Sequence, residues 1–464
     1  MNRTKNGMDM CTGPLLFKIL LFSIPIMLSG MLQLLYNAVD VAVVGRFVGN
    51  TALAAVGSTS TLINLVVNLF IGLSVGASVL VSQYCGAGDD ENVSEVVHTA
   101  VGISFILGIT ATIVGIGFAK PILRTMGTPV EVLQSAVIYI RIFFIGITAS
   151  MLFNYGSSVL RAVGDTKRPL LYLSISGVVN VLLNFVFVVG LHMGVAGSAI
   201  ATVIAQILSA ILILRCLMRS NGCLHLSLRG IRIEKEKMIL MLKIGIPASL
   251  QAAIFSISNL LIQSSVNSFG KITMAGNTAA SNIDGIIYIA DNSFYHASLA
   301  FTGQNFGAKK YNRIGRVMGI CMLLTTITGL ILGGLTILFG KTLLGIYAPG
   351  DIGVIHSGMV RLNILAMTYF LCGMMDVTVG TLRGMGASMV PMLVSIVGIC
   401  GFRIAWIYTF FAWHRTFEQL FYSYPISWLL TFSIQLLCYF YLKKRLILPD
   451  TKSGEDCGCA VGDG

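Results

Sequence analysis

The sequence predicts an all-α membrane protein of twelve transmembrane helices, built as two parallel-repeat lobes of six. Three observations carry this. The 464-residue chain is 55% hydrophobic and only 11% charged, against roughly 25% charged in soluble domains, so it cannot cover a water-facing surface of its size. Its apolar runs recur at about the 20 residues a helix needs to cross a bilayer. Motifs in the first half also return in the second at a nearly constant offset. A soluble enzyme, a disulfide scaffold and a disordered chain are all excluded.

In chain order, spans are expected at about 15–45, 53–83, 96–118, 133–158, 169–190 and 195–217 for the first lobe (15–217). The second lobe (241–442) has them at about 241–268, 275–303, 317–339, 355–381, 389–412 and 419–442. The basic stretch 218–240 reads as a linker, and 1–14 and 443–464 read as tails. The first apolar run is too long for a cleavable signal. With both termini on one side, that side and the even-numbered connections hold 22 Lys/Arg, the opposite side holds six, and Arg141, Arg361 and Arg403 lie within spans. The positive-inside rule therefore puts both termini in the cytoplasm, and the net charge of +12 reports topology rather than nucleic-acid binding. The ten cysteines are scattered, and Cys457-Gly-Cys459 reads as an inert tail rather than a soft-metal site.

The duplication fixes the relation of the lobes. Pro25 and Pro247, Arg161 and Arg383, and Pro169 and Pro391 are each 222 apart, and Gln83 and Gln304 are 221 apart. Six spans per copy is an even number, so the repeats run parallel, about an axis along the membrane normal. Two such lobes enclose a central cleft, the usual place for a substrate site between rocking repeats.

Neither a cofactor nor an ATPase is expected. Gly340-Lys-Thr342 resembles the end of a phosphate loop, but Leu335 stands where its leading glycine belongs. Transport would then be coupled to an ion, which needs a group at membrane depth whose occupancy changes. The span acids are Asp40, Asp284, Asp291 and Asp376. Gln33, Asn37 and Asp40 share one face of the first span. Tyr139, Asn154, Asn180, Asn184, Thr202 and Gln206 add polar groups in neighbouring spans. Carboxylate, amide and hydroxyl oxygens suit sodium, with Asp40, Asn180, Asn184 and Thr202 as its expected ligands, while a desolvated Asp40 can carry a proton instead. In span eight Asp284, Tyr288, Asp291 and Tyr295 follow at spacings of four, three and four, a stripe suited to organic cations through cation–π contact and ion pairing. Arg361 or Arg403 could equally neutralise these acids, Arg403 could pair with Asp376, and His296 reads as a hydrogen-bonded core residue. Small organic cations or amphipathic drugs are the expected partners, with the chain acting as a monomer in the cytoplasmic membrane.

The stretches Leu35-Tyr-Asn-Ala-Val-Asp-Val-Ala-Val-Val-Gly-Arg-Phe-Val-Gly49, Gln83-Tyr-Cys-Gly-Ala-Gly88, Leu160-Arg-Ala-Val-Gly-Asp-Thr-Lys-Arg-Pro169 and Gly303-Gln-Asn-Phe-Gly-Ala308 resemble the multidrug and toxic compound extrusion (MATE) family. The resemblance covers about residues 15–445. It implies a V-shaped pair of six-helix lobes around the central cleft and export of drugs in exchange for sodium or protons. The family's amino-terminal polar cluster falls on Gln33, Asp40, Tyr139, Asn154, Asn180 and Thr202. In its Asn-x-x-x-Asp motif the acid is here Asn184. The acid positions of another branch are absent: the stretch after Pro247 reads Ala-Ser-Leu-Gln-Ala-Ala-Ile-Phe255, and its span-ten position is Cys372. A lipid-linked precursor flippase of the same architecture is the alternative, but it would want a more cationic cleft than three intramembrane arginines provide. A membrane aspartyl protease lacks its Gly-x-Gly-Asp motif, the nearest stretch being Ala162-Val-Gly-Asp165 in a basic loop.

Overall fold

The computed structural model describes residues 7–455; Cys457 and Cys459 lie outside the described residues. Among those, every regular element is helical, as expected of a chain that must satisfy its backbone polar groups within each segment in lipid. The helices are α1 (Leu15–Phe47), α2 (Asn50–Ala87), α3 (Asp90–Thr125), α4 (Val130–Ala162), α5 (Lys167–Asn184, continued by a π-helical stretch Phe185–Gly190) and α6 (Gly194–Arg219). After two short 3-10 turns come α7 (Lys235–Asn267), α8 (Lys271–Gly307), α9 (Tyr311–Tyr347), α10 (Ile352–Leu365) and α11 (Tyr369–Gly384). The chain ends with α12 (Met389–Ser395), a π-helical stretch Ile396–Gly401, α13 (Phe402–Tyr408), α14 (Phe410–Trp413) and α15 (Phe417–Glu455). Ten of these stretches are long and apolar enough to cross a membrane, and the α10–α11 pair makes an eleventh. The 37-residue α8 is too polar to count with them by composition. The protein is a multi-pass membrane protein.

The duplication is visible in the elements themselves. α1 and α7 start at Leu15 and Lys235, α2 and α8 at Asn50 and Lys271, and α3 and α9 at Asp90 and Tyr311, each pair 220 or 221 residues apart. Turn backbone repeats as well. Gly164 and Gly386, 222 apart, have φ of 92° and 89°, in the region open to glycine but costly for residues with a Cβ.

One expected span differs. The stretch read as a single span at 355–381 is bent by 48° between α10 and α11. The Thr368 hydroxyl donates to the carbonyls of Ile364 at 2.8 Å and Leu365 at 3.1 Å, the kind of back-bonding that bends helices.

The chain divides into two compact units, Met1–Ile257 and Ser258–Gly464. The boundary falls inside α7, downstream of the basic stretch 218–240. The larger, N-terminal part of α7, up to Ile257, belongs to unit 1 because it packs on α2: Ser249 donates to the Leu69 carbonyl at 2.7 Å, and a Cβ on Gly72 would strike the Ser249 backbone. In unit 1, α4 packs on α2, α3 and α6, while α5 packs on α1 and α6. In unit 2, α8 packs on α9, α10 and α11, and α15 covers α10 and α11.

Candidate functional site

In unit 1 the site is assembled by a close crossing of α1 and α5. A Cβ on Gly177 would collide with the Tyr36 ring, so only glycine lets the helices approach this closely. The Tyr36 hydroxyl donates to the Ser174 carbonyl at 3.3 Å. One turn beyond Tyr36 on α1, and one and two turns beyond Gly177 on α5, stand Asp40, Asn180 and Asn184. Asn184 Nδ2 donates to Asp40 Oδ1 at 2.7 Å and also approaches the Asn180 carbonyl at 3.1 Å and Asn180 Oδ1 at 3.3 Å. From α6, Thr202 Oγ1 stands 3.4 Å from Asp40 Oδ2 and takes a bond from Asn180 Nδ2 at 3.3 Å. Tyr139 is buried beside this group, in an apolar cluster with Val44, Ala52, Val56, Val195 and Ala199.

The result is an oxygen-rich nest at membrane depth. Asn184 is fully buried, and its Oδ1 has no hydrogen-bond donor. A buried acceptor without a partner costs about 1–3 kcal/mol, and here it lies beside a carboxylate with no cationic side chain bonded to it. The four expected sodium ligands, Asp40, Asn180, Asn184 and Thr202, are therefore brought together. Gln33 and Asn37 are not: they stay on exposed parts of α1. Asn154 spends its amide on its own helix, donating to the Ser150 carbonyl at 2.9 Å. Gln206 has a buried, unpartnered Oε1 pressed against Gly146.

The repeat does not copy this chemistry. The positions 222 residues beyond Asp40, Asn180, Asn184 and Thr202 are Ile262, Phe402, Trp406 and Tyr424. Phe402 and Trp406 pack at 5.7 Å, and Tyr424 and Trp428 at 5.6 Å. Arg403 lies 3.9 Å over the Tyr424 ring and donates to Ser427 at 3.2 Å and Asn259 at 3.4 Å. The pairing of Arg403 with Asp376 open from the sequence does not form.

The span-eight stripe of unit 2 separates into unlike environments. Asp284, 2% exposed, pairs with Arg361 Nε at 2.8 Å. Arg361 Nη1 also donates to Asn277 at 2.8 Å, and Asn277 in turn donates to Gln263 at 2.9 Å. Asp291, 1% exposed, has no cationic partner: its Oδ1 accepts from Thr325 at 2.8 Å. Tyr288 is exposed, whereas Tyr295 is buried and accepts from Arg383 at 2.8 Å. Asp376 is partly buried, and His296 packs its ring against Tyr295 at 5.0 Å. Asn277, Gln263 and Thr325 did not stand out in the sequence; Asn277 sits two turns before Asp284 and the other two a helix away from their acid, spacings too common among polar residues to single them out. Among the described residues no group of three or more His, Cys, Asp and Glu is placed to hold a metal ion.

The MatE family model matches residues 25–186 and 247–409, two segments whose starts are 222 apart. The chain is 29% identical over 391 residues to the probable multidrug resistance protein YoeA of Bacillus subtilis, covering 83% of this chain and 84% of that one. It is 22% identical over 387 residues to the probable multidrug resistance protein NorM of Thermotoga maritima, covering 82% of each. Among solved structures, an outward-facing multidrug resistance MATE transporter of the MOP superfamily has the same fold. The TM-score is 0.89 at 22% identity, over 96% of this chain and 99% of that one.

Proposed function

The chain belongs to the MatE family, and from that premise we propose that it is a secondary active multidrug exporter, driven by exchange of a monovalent cation at Asp40. On this reading its substrates are amphipathic or cationic organic compounds; its relatives YoeA and NorM are probable multidrug resistance proteins. On this reading α8 is the twelfth span and the α10–α11 pair is one bent span. The two six-helix lobes alternate access across the plasma membrane, with both termini in the cytoplasm.

One observation carries the coupling assignment. Asp40 is held by Asn184 at 2.7 Å and Thr202 at 3.4 Å, while the buried Asn184 Oδ1 lacks a donor. Carboxylate, amide and hydroxyl oxygens converge without a positive charge bonded to Asp40. A proton on Asp40, or a sodium ion shared by Asp40, Asn180, Asn184 and Thr202, supplies the missing charge. A cation that binds one conformation better than the other then shifts the equilibrium between them by that difference in affinity.

The test is transport of a fluorescent organic cation by the full chain in proteoliposomes, under an imposed proton gradient, a sodium gradient or neither. The reading expects dye movement coupled to one of the two gradients and none without. Movement indifferent to both gradients would overturn it.

A further inference from the structure

The acids of unit 2 divide by how their charge is met. Asp284 has Arg361, and the buried guanidinium of Arg403 is taken up by Ser427, Asn259 and the Tyr424 ring. Asp291 has neither. Its Oδ1 accepts one hydrogen bond, from Thr325 at 2.8 Å, and its Oδ2 is buried with no hydrogen-bond partner at all. The space around it is closed by Gly373 of α11, where a Cβ would strike Thr325 Oγ1 and lie 3.0 Å from Asp291 Cγ. The ionisable groups within reach from the packed helices are Cys372 and Asp376 on α11, with Cys321 one turn from Thr325 on α9. On α8 itself Tyr288 and Tyr295 flank Asp291. None is a cation. Arg383, the cation within reach of Asp376, donates to Tyr295.

An ionised carboxylate in this setting would be a desolvated charge carried by one hydroxyl. Such a charge is so costly that the group takes a proton instead. A neutral carboxyl fits what is seen: Thr325 donates to its carbonyl oxygen, and the acid O–H sits on Oδ2, the oxygen that accepts no hydrogen bond. Asp376 lies three residues beyond Gly373, on the face of α11 turned to Asp291, and it is only partly buried.

We propose that Asp291 is a second proton-binding site, distinct from Asp40, that holds a proton on Oδ2 and exchanges it through the carboxylate of Asp376. In the exchange the Asp291 Oδ2–H bond breaks and an O–H bond forms on Asp376. Asp291 is left as the carboxylate bonded to Thr325, and Asp376 then gives the proton to water. The binding step stands without the exporter reading. Only the exchange during transport rests on it.

The experiment has two arms. Infrared spectroscopy of the full chain in liposomes near neutral pH is expected to show a protonated carboxyl band. That band is lost in Asp291→Asn, displaced in Thr325→Val because the hydrogen bond to its carbonyl oxygen is gone, and kept in Asp40→Asn. A band indifferent to both Asp291→Asn and Thr325→Val overturns the site, even if transport is proton-driven. In the second arm, protons moved per exported dye are counted. Asp291→Asn and Asp376→Asn are each expected to lower that ratio, and an unchanged ratio overturns the exchange while leaving the exporter reading intact.

Discussion

Asn184 and Asp40, 144 positions apart, meet with Nδ2 2.7 Å from Oδ1. The amide satisfies one carboxylate oxygen with its donor and leaves its own oxygen buried without a donor. This polarity is specific to the amide. A carboxylate at 184 would bring a second negative charge instead, and two carboxylates in contact cannot both ionise without a counter-charge.

Asn184→Asp should therefore make unit 1 depend on a bound cation. Thermal unfolding in sodium chloride, compared with choline chloride, is expected to show a sodium-dependent rise in melting temperature, larger in the variant than in the wild type. Ligand at a hundred times its Kd adds about 2.7 kcal/mol. An identical response in both proteins would mean that residue 184 and Asp40 do not share a cation.

Gly177→Ala should act on the site from one turn away. The added methyl strikes the Tyr36 ring, and overpacking of this kind costs about 1–3 kcal/mol. Its functional effect should exceed that, because the α1–α5 crossing sets the distance from Asp40 to Asn184. Gradient-driven export is expected to fall to background while the variant still unfolds cooperatively. Full export activity would show that the crossing need not be this close.

Arg361→Met should destabilise unit 2 by about 3–5 kcal/mol, the usual cost of leaving one buried charge of a pair unpartnered. Asp284 then lacks its 2.8 Å partner. The double variant Asp284→Asn/Arg361→Met should recover much of the loss in thermal unfolding. If the two single losses simply add in the double variant, the pair does not hold the helices together.

Parts of this arrangement were legible in the sequence. Asn180 and Asn184, one turn apart in a short apolar span, announce a shared face, and Asp40 is conspicuous as an acid in oil; their meeting with Thr202 follows the family resemblance. The Gln33–Asn37–Asp40 stripe was legible only as a helix face. Periodicity tells which residues share a face but not how far a neighbour covers it, so Gln33 and Asn37 stay exposed while Asp40 is bonded. Which arginine neutralises which acid was also out of reach. Arg361 and Arg403 are equally plausible partners by sequence, and the choice is made by α8–α10 packing and by the aromatic surroundings of Arg403. The bend at Thr368 depends on a hydroxyl turning to its own helix, an option open to every serine and threonine in the chain.

The central assignment is that Asp40 carries the coupling cation, and one comparison tests it most directly. Wild type and Asp40→Asn, reconstituted side by side, are assayed for export of a fluorescent cation under the gradient that drives the wild type. The amide keeps the shape of the side chain, so the variant should fold and unfold like the wild type yet export no dye above leak. Wild-type export by Asp40→Asn would contradict the assignment outright.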